Sequence, residues 1–150
     1  MTFVPRRLSA RGAACAALLL TTACASAPEV ALAPLADEPA CSSISWPRTV
    51  SGLEAVATTP QHPSVSAWGD PPIIARCGLP APAPTTDSCV VVDGVDWVVR
   101  ELTDGSAAVT FGREPAIEVL VPQEHGPVPL LLPAFGGAAR SLPETGRHCS

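Results

Sequence analysis

The chain has 150 residues, 47% of them hydrophobic, with nine basic and 14 acidic residues and a formal net charge of −5 at pH 7. Every basic residue is arginine and three precede Cys24, so the remainder carries six arginines against 14 acids, a net charge of −8. That balance argues against nucleic acid and against electrostatic adhesion to anionic lipid, and with aromatics at 4% and no tyrosine the core is thin enough for crosslinks to matter.

Met1 to Arg11 holds Arg6, Arg7 and Arg11 and no acid, and Gly12 to Ala23 is a run of small and apolar residues centred on Leu18-Leu19-Leu20. This is the outline of an export signal. A run of about 12 residues is shorter than the roughly 20 a spanning helix needs, so export without a bilayer span is expected. Leu20-Thr21-Thr22-Ala23-Cys24 resembles a bacterial lipobox, whose cysteine receives a diacylglyceryl group; Thr21 stands where that motif carries Leu, Val or Ile. The expectation is a lipoprotein signal peptide over 1–23 and acylation at Cys24, which would hold the protein at the membrane by a lipid anchor. Cleavage near Ala23 or Ala27 without acylation, leaving a soluble secreted protein, is the alternative.

Residues 24–39 are rich in proline and small side chains without periodicity, which predicts a flexible tether; residues 40–150 form a single domain. A short helix is predicted from Pro39 to Trp46, ended by Pro47, then a weak edge strand over 50–58 and a loop over 59–66 holding His62. The densest stretch is Trp68-Gly69-Asp70-Pro71-Pro72-Ile73-Ile74-Ala75-Arg76-Cys77-Gly78, in which two prolines exclude helix and Ile73-Ile74-Ala75 reads as a short core strand. Alternation puts Arg76 and Cys77 on opposite faces.

Pro80, Pro82 and Pro84 make 79–88 extended and irregular. Val90-Val91-Val92 and Val95-Asp96-Trp97-Val98-Val99 flank Asp93-Gly94, a dipeptide that accepts positive φ and so favours a two-residue hairpin. Asp104-Gly105 turns into 107–111, and Gly112-Arg113-Glu114-Pro115 into 116–121. Beyond a loop over 123–129 with His125, the residues Leu131, Phe135, Ala138, Ala139 and Leu142 recur at helical spacing, predicting a C-terminal helix. The fold class expected is α+β: a small antiparallel meander of about five strands packed against one or two helices and stapled by disulfides.

Once Cys15 has left with the signal and Cys24 is acylated, Cys41, Cys77, Cys89 and Cys149 remain, an even number in an exported domain. Three pairings are possible; Cys77 with Cys89 across one turn-rich loop, leaving Cys41 for Cys149, is the one favoured. Zinc is the weaker alternative, since no Cys-x-x-Cys occurs.

No nucleophile elbow, zinc-helix motif or phosphate loop is present. His62, His125 and His148 read as surface residues, and Asp70 before Pro71-Pro72 reads as a turn cap rather than a general base. Arg76 and Arg113 could hold an anion, but pairing with Asp96, Glu101 or Glu118 is the simpler expectation. Trp68 and Trp97 read as core. No catalytic residue, metal ligand or cofactor is assigned.

Ala67-Trp68-Gly69-Asp70-Pro71-Pro72-Ile73-Ile74 with Arg76-Cys77-Gly78, then Cys89, Val92-Asp93-Gly94-Val95-Asp96-Trp97 and Phe111-Gly112-Arg113-Glu114-Pro115, resembles the actinobacterial envelope proteins of the domain of unknown function 3515 family. The resemblance covers roughly Cys41 to Cys149. It implies a small exported or lipid-anchored protein and supplies no activity or cofactor. The function expected is a non-enzymatic interaction module of the cell envelope, touching another envelope protein or a wall polymer, with Trp68, Asp70, Arg76 and Arg113 as candidate contacts. The alternative is an extracytoplasmic small-ligand-binding protein, for which an apolar cavity lined by Trp68, Trp97 and Phe135 would speak.

Overall fold

A computed structural model describes residues 26–149. Cys24 and the signal peptide expected over 1–23 lie outside them. Eight strands form one antiparallel sheet: β1 (Thr49–Val50), β2 (Leu53–Val56), β3 (Val65–Trp68), β4 (Ile73–Leu79), β5 (Ser88–Val92), β6 (Val95–Leu102), β7 (Gly105–Thr110) and β8 (Ala116–Pro122). The spatial order is β1-β2-β3-β4-β8-β7-β6-β5. Two four-strand meanders thus join through their last strands, with Ala75 opposite Val119 and Cys77 opposite Ile117. The hairpin at Asp93-Gly94 forms as its residues dictate: Val92 pairs with Val95, and both turn residues have positive φ, 50° and 76°.

Reaching β5 from β4 means crossing four strand spacings, about 19 Å. The eight residues from 80 to 87 cover about 25 Å when extended at roughly 3.1 Å per residue. The alternating prolines suit that span.

One face of the sheet carries Trp68, Ile73, Ala75, Cys77, Val95, Trp97, Ala108, Ile117, Val119 and Val121, all buried. Residues 128–142 cover it. Val128, Leu131, Leu132, Phe135, Ala138, Ala139 and Leu142 face inward. The spacing thus foretold the buried residues, but the expected helix is mostly 3-10 turns over Val128–Leu130 and Leu132–Phe135, with an α-helix only over Gly136–Arg140 (α2). Pro127, Pro129 and Pro133 remove the backbone donors that a continuous helix needs. The helix expected over 39–46 is likewise one turn, Pro39–Ser42 (α1).

The α+β expectation is therefore overturned. The protein is essentially an eight-stranded antiparallel sheet with a few short helical turns. The strands that escaped notice lie in the first meander: the weak strand at 50–58 is two strands folded at Ser51-Gly52, and β3 was hidden because Val65, Ala67 and Trp68 are all buried and leave no clean alternation.

The stretch expected as a flexible tether is different in kind from Pro28 onward. The N–H of Val30 donates to Thr59 O and that of Thr59 to Pro28 O, each within 2.9 Å; the N–H of Leu35 donates to Gly78 O at 2.8 Å. Val30, Ala33 and Ala36 are buried. This strap runs along the sheet, and Gly78, at φ 116°, makes room for it: a Cβ there would lie 2.5 Å from Ala36 N.

The disulfides are Cys41–Cys77 and Cys89–Cys149, not the favoured Cys77–Cys89 and Cys41–Cys149. Topology explains the correction. Cys77 lies near the end of the central strand β4 and Cys89 near the start of the edge strand β5, so residues close in sequence are held half the sheet apart. Each bridge instead ties a segment outside the sheet to a strand: α1 to β4, and the C-terminal residues to β5. Two disulfides fit an oxidising, extracytoplasmic compartment. No helix among the described residues is long and apolar enough to cross a membrane.

Candidate functional site

The turn Gly69-Asp70-Pro71-Pro72 joins β3 to β4 and projects from one end of the sheet. Two prolines fix its φ angles, and the His125 Nε2–H donates to Pro71 O at 2.6 Å, bracing it from the 3-10 turn at Gln123–His125. Two clefts open beside Pro72. The larger, about 570 Å³, is lined by Asp70 of the turn, by Glu54, Val56 and Ala57 of β2 and its end, and by Ala27 and Pro28. The smaller, about 340 Å³, lies between Pro71, Ile74 and Leu120 on one side and Leu102, Asp104 and Glu124 on the other. Both volumes lie within the roughly 300–1,000 Å³ of ligand pockets. Glu54, Asp70, Asp104 and Glu124 are exposed, and none belongs to an ion pair among the described residues.

Of the four candidate contacts, only Asp70 lies at this surface. Trp68 is wholly buried, its Nε1–H donating to Pro47 O at 3.0 Å and its ring packed edge-on to Trp46 and Phe135 at 6.4 and 5.4 Å. Alternation puts Arg76 on the opposite face of β4, where its Nε–H donates to Glu118 at 2.6 Å and its Nη1–H to Ala31 O in the strap. Arg113 is buried in the β7–β8 turn, at the other end of the strands, and donates to Leu142 O and Glu144 Oε1, both at 2.8 Å. Trp68, Arg76 and Arg113 are therefore structural. The pairing of Arg76 with Glu118 was among the partners expected from the sequence; Glu144 was not.

Trp68, Trp97 and Phe135 pack into a filled core rather than around a cavity. Trp97 is the one buried side chain with an unpaired polar atom, its Nε1, among the described residues. The histidines do not converge on Asp70: His148 faces Asp96 at 2.9 Å and His125 serves the proline turn. His62 takes part in a set the sequence did not reveal, with the Ser64 N–H and hydroxyl donating to its Nδ1 and Asp37 Oδ1 lying 3.3 Å from its Nε2. Ser64 is wholly buried, so no substrate can reach its hydroxyl, and the set fixes the loop before β3. Among the described residues no three His, Cys, Asp or Glu are grouped to hold a metal ion.

Val56, Glu54 and the strap residues of the larger cleft had no signal in the sequence. They are brought together only by the β2–β3 pairing and by the strap's return to Thr59.

Residues 9–138 match the family described as protein of unknown function (DUF3515). No curated protein matches the chain, and no solved structure does.

Proposed function

The chain belongs to the DUF3515 family, and from that premise we propose that it is an exported, lipid-anchored envelope protein that works as a non-enzymatic interaction module through the larger cleft beside Asp70. The observation that carries this reading is the strap. Pro28 is hydrogen-bonded to Thr59 and lines the cleft, and it lies four residues after Cys24. At about 3.5 Å per residue those four reach no more than about 14 Å. An acyl group on Cys24 would therefore hold the cleft close to the outer surface of the cytoplasmic membrane, where a membrane-bound partner is within reach. The packing of Trp68, Trp97 and Phe135 into one buried cluster supports contact at the surface over enclosure of a ligand among them.

The test has two parts. Intact mass of the protein from the membrane fraction should show the acyl mass at Cys24, and Cys24→Ser should release the protein from the membrane. A photo-crosslinking side chain at Val56, in the cleft, should capture a discrete partner in cells, while one at Val91, on the far edge strand and 62% exposed, should not. Equal yields from both positions would dismiss the cleft as the contact. The volume of the same cleft favours a second reading, small-ligand binding. Native mass spectrometry showing a bound small molecule lost on Val56→Trp would favour it.

A further inference from the structure

Resting on that reading, we infer that the larger cleft receives a basic, extended peptide segment of its partner, a lysine or arginine flanked by small apolar side chains. Two carboxylates, Glu54 and Asp70, line the cleft, both exposed and neither in an ion pair among the described residues. The rest of the lining is mostly apolar: Val56, 40% exposed, with Ala57, Ala27, Pro28 and Pro72. Most of the arginines are engaged elsewhere: Arg76 by Glu118, Arg100 by Asp87, Arg113 by Glu144 and Arg140 by Asp93 O. The chain beyond Cys24 carries −8, so the field around the cleft draws cations and turns anions away.

An extended peptide fits better than a compact cation. On the outer side of β2 the chain before β1 reaches as far as Ala55, whose N–H donates to Arg48 O, and the strap takes up that side again at Thr59. Val56 is paired with Ala67 of β3 and offers its side chain to the cleft, while Ala57 just after it makes no backbone hydrogen bond among the described residues, so its N–H and C=O are open to an added extended segment. Alternation along such a strand would place a cation toward the carboxylates at every second position.

The full mature chain with Cys24→Ser is titrated with a fluorescent seven-residue peptide in which lysine alternates with valine and alanine, followed by anisotropy. Binding should be saturable and weaken with salt. Glu54→Gln with Asp70→Asn should weaken it about tenfold, two exposed ion pairs being lost, and Val56→Ser about threefold. A control that removes the same charge elsewhere, Asp93→Asn with Glu114→Gln, should leave it within about twofold. Equal loss in the two double variants would reduce the effect to net charge and overturn the assignment, as would no binding, or equal binding of the same peptide with glutamate for lysine. Binding to vesicles containing an amine-bearing lipid but not to the peptide would overturn it in favour of a lipid headgroup. If Val56 crosslinks a partner while the peptide fails, the interaction module stands and the basic segment falls. If Val56 captures nothing, it is the module that falls.

Discussion

The first meander, β1–β4, and the second, β5–β8, each place one wholly buried tryptophan on the core face and carry one disulfide. In the first, Trp68 finds Pro47 O for its Nε1–H and two aromatic rings for its edges, and Cys41 and Cys77 are both fully buried. In the second, Trp97 Nε1 has no partner among the described residues, and Cys89 is exposed with Cys149 half-buried. The first half is enclosed by chain on its flank, so its polar groups are met; the second carries on its core face a side chain as small as Ala108 and is stapled at its rim. The comparison teaches that similar strands acquire different local stability from what packs beside them.

The sharpest test of this contrast sets the disulfides against each other. Loop entropy assigns about 4 kcal/mol to each, slightly more to Cys89–Cys149 because it closes the longer loop, the separations being 60 and 36 residues. Burial reverses the order. Cys41→Ala with Cys77→Ala also opens a void in the core, for a total of about 5 kcal/mol, whereas Cys89→Ala with Cys149→Ala should cost less than about 4. Urea midpoints decide it, and a larger loss at the rim would mean that loop length governs. Mild reductant followed by alkylation and peptide mapping should label Cys89 and Cys149 first.

Next in size are the glycines. Gly78→Ala forces a side chain onto Ala36 N and Leu35 C at a φ of 116°, which should cost about 3 kcal/mol and render the strap sensitive to protease. Gly94→Ala meets open space and should cost about 1 kcal/mol, for its positive φ alone.

The tryptophans come third. Both Trp68→Phe and Trp97→Phe lose ring volume, but only the former breaks a hydrogen bond, and the latter removes a donor buried without a partner. Trp97→Phe should be milder by about 2 kcal/mol in chemical denaturation. Smallest is the pair of arginines: Arg76→Ala, whose partner Glu118 has a side chain 13% exposed, should cost about 1 kcal/mol, and Arg100→Ala, 61% exposed, less than about 0.5. Equal costs would show that burial at the β4–β8 seam, where Arg76 faces Glu118, adds nothing over an exposed pair.

How much of this was legible varied along the chain. Val90 to Val121 declared its strands, because Asp93-Gly94, Asp104-Gly105 and Gly112 to Pro115 punctuate valine-rich runs with turns of known geometry. The first meander did not, because its strands are two to four residues long outside β4 and are buried on both sides at β3. Leu131 to Leu142 showed which residues go inside but not their conformation, since periodicity reports a buried stripe and prolines decide whether a helix can supply it. Of the candidate site only Asp70 was visible, and its partners across the cleft come from β2 and from a segment that looked like a linker.

From the residues alone came the export outline, the four cysteines available for pairing, the second meander's turns and the identity of the buried stripe. Each is a local property, of a dozen neighbours or fewer, or of composition. The pairing of the two meanders through β4 and β8, the partner of each cysteine, the docking of the strap on Gly78 and the cleft at Asp70 were decided by tertiary structure. They depend on which strand edges meet across long stretches of chain, and that choice is made by burying the whole sheet at once, which no short window of sequence records.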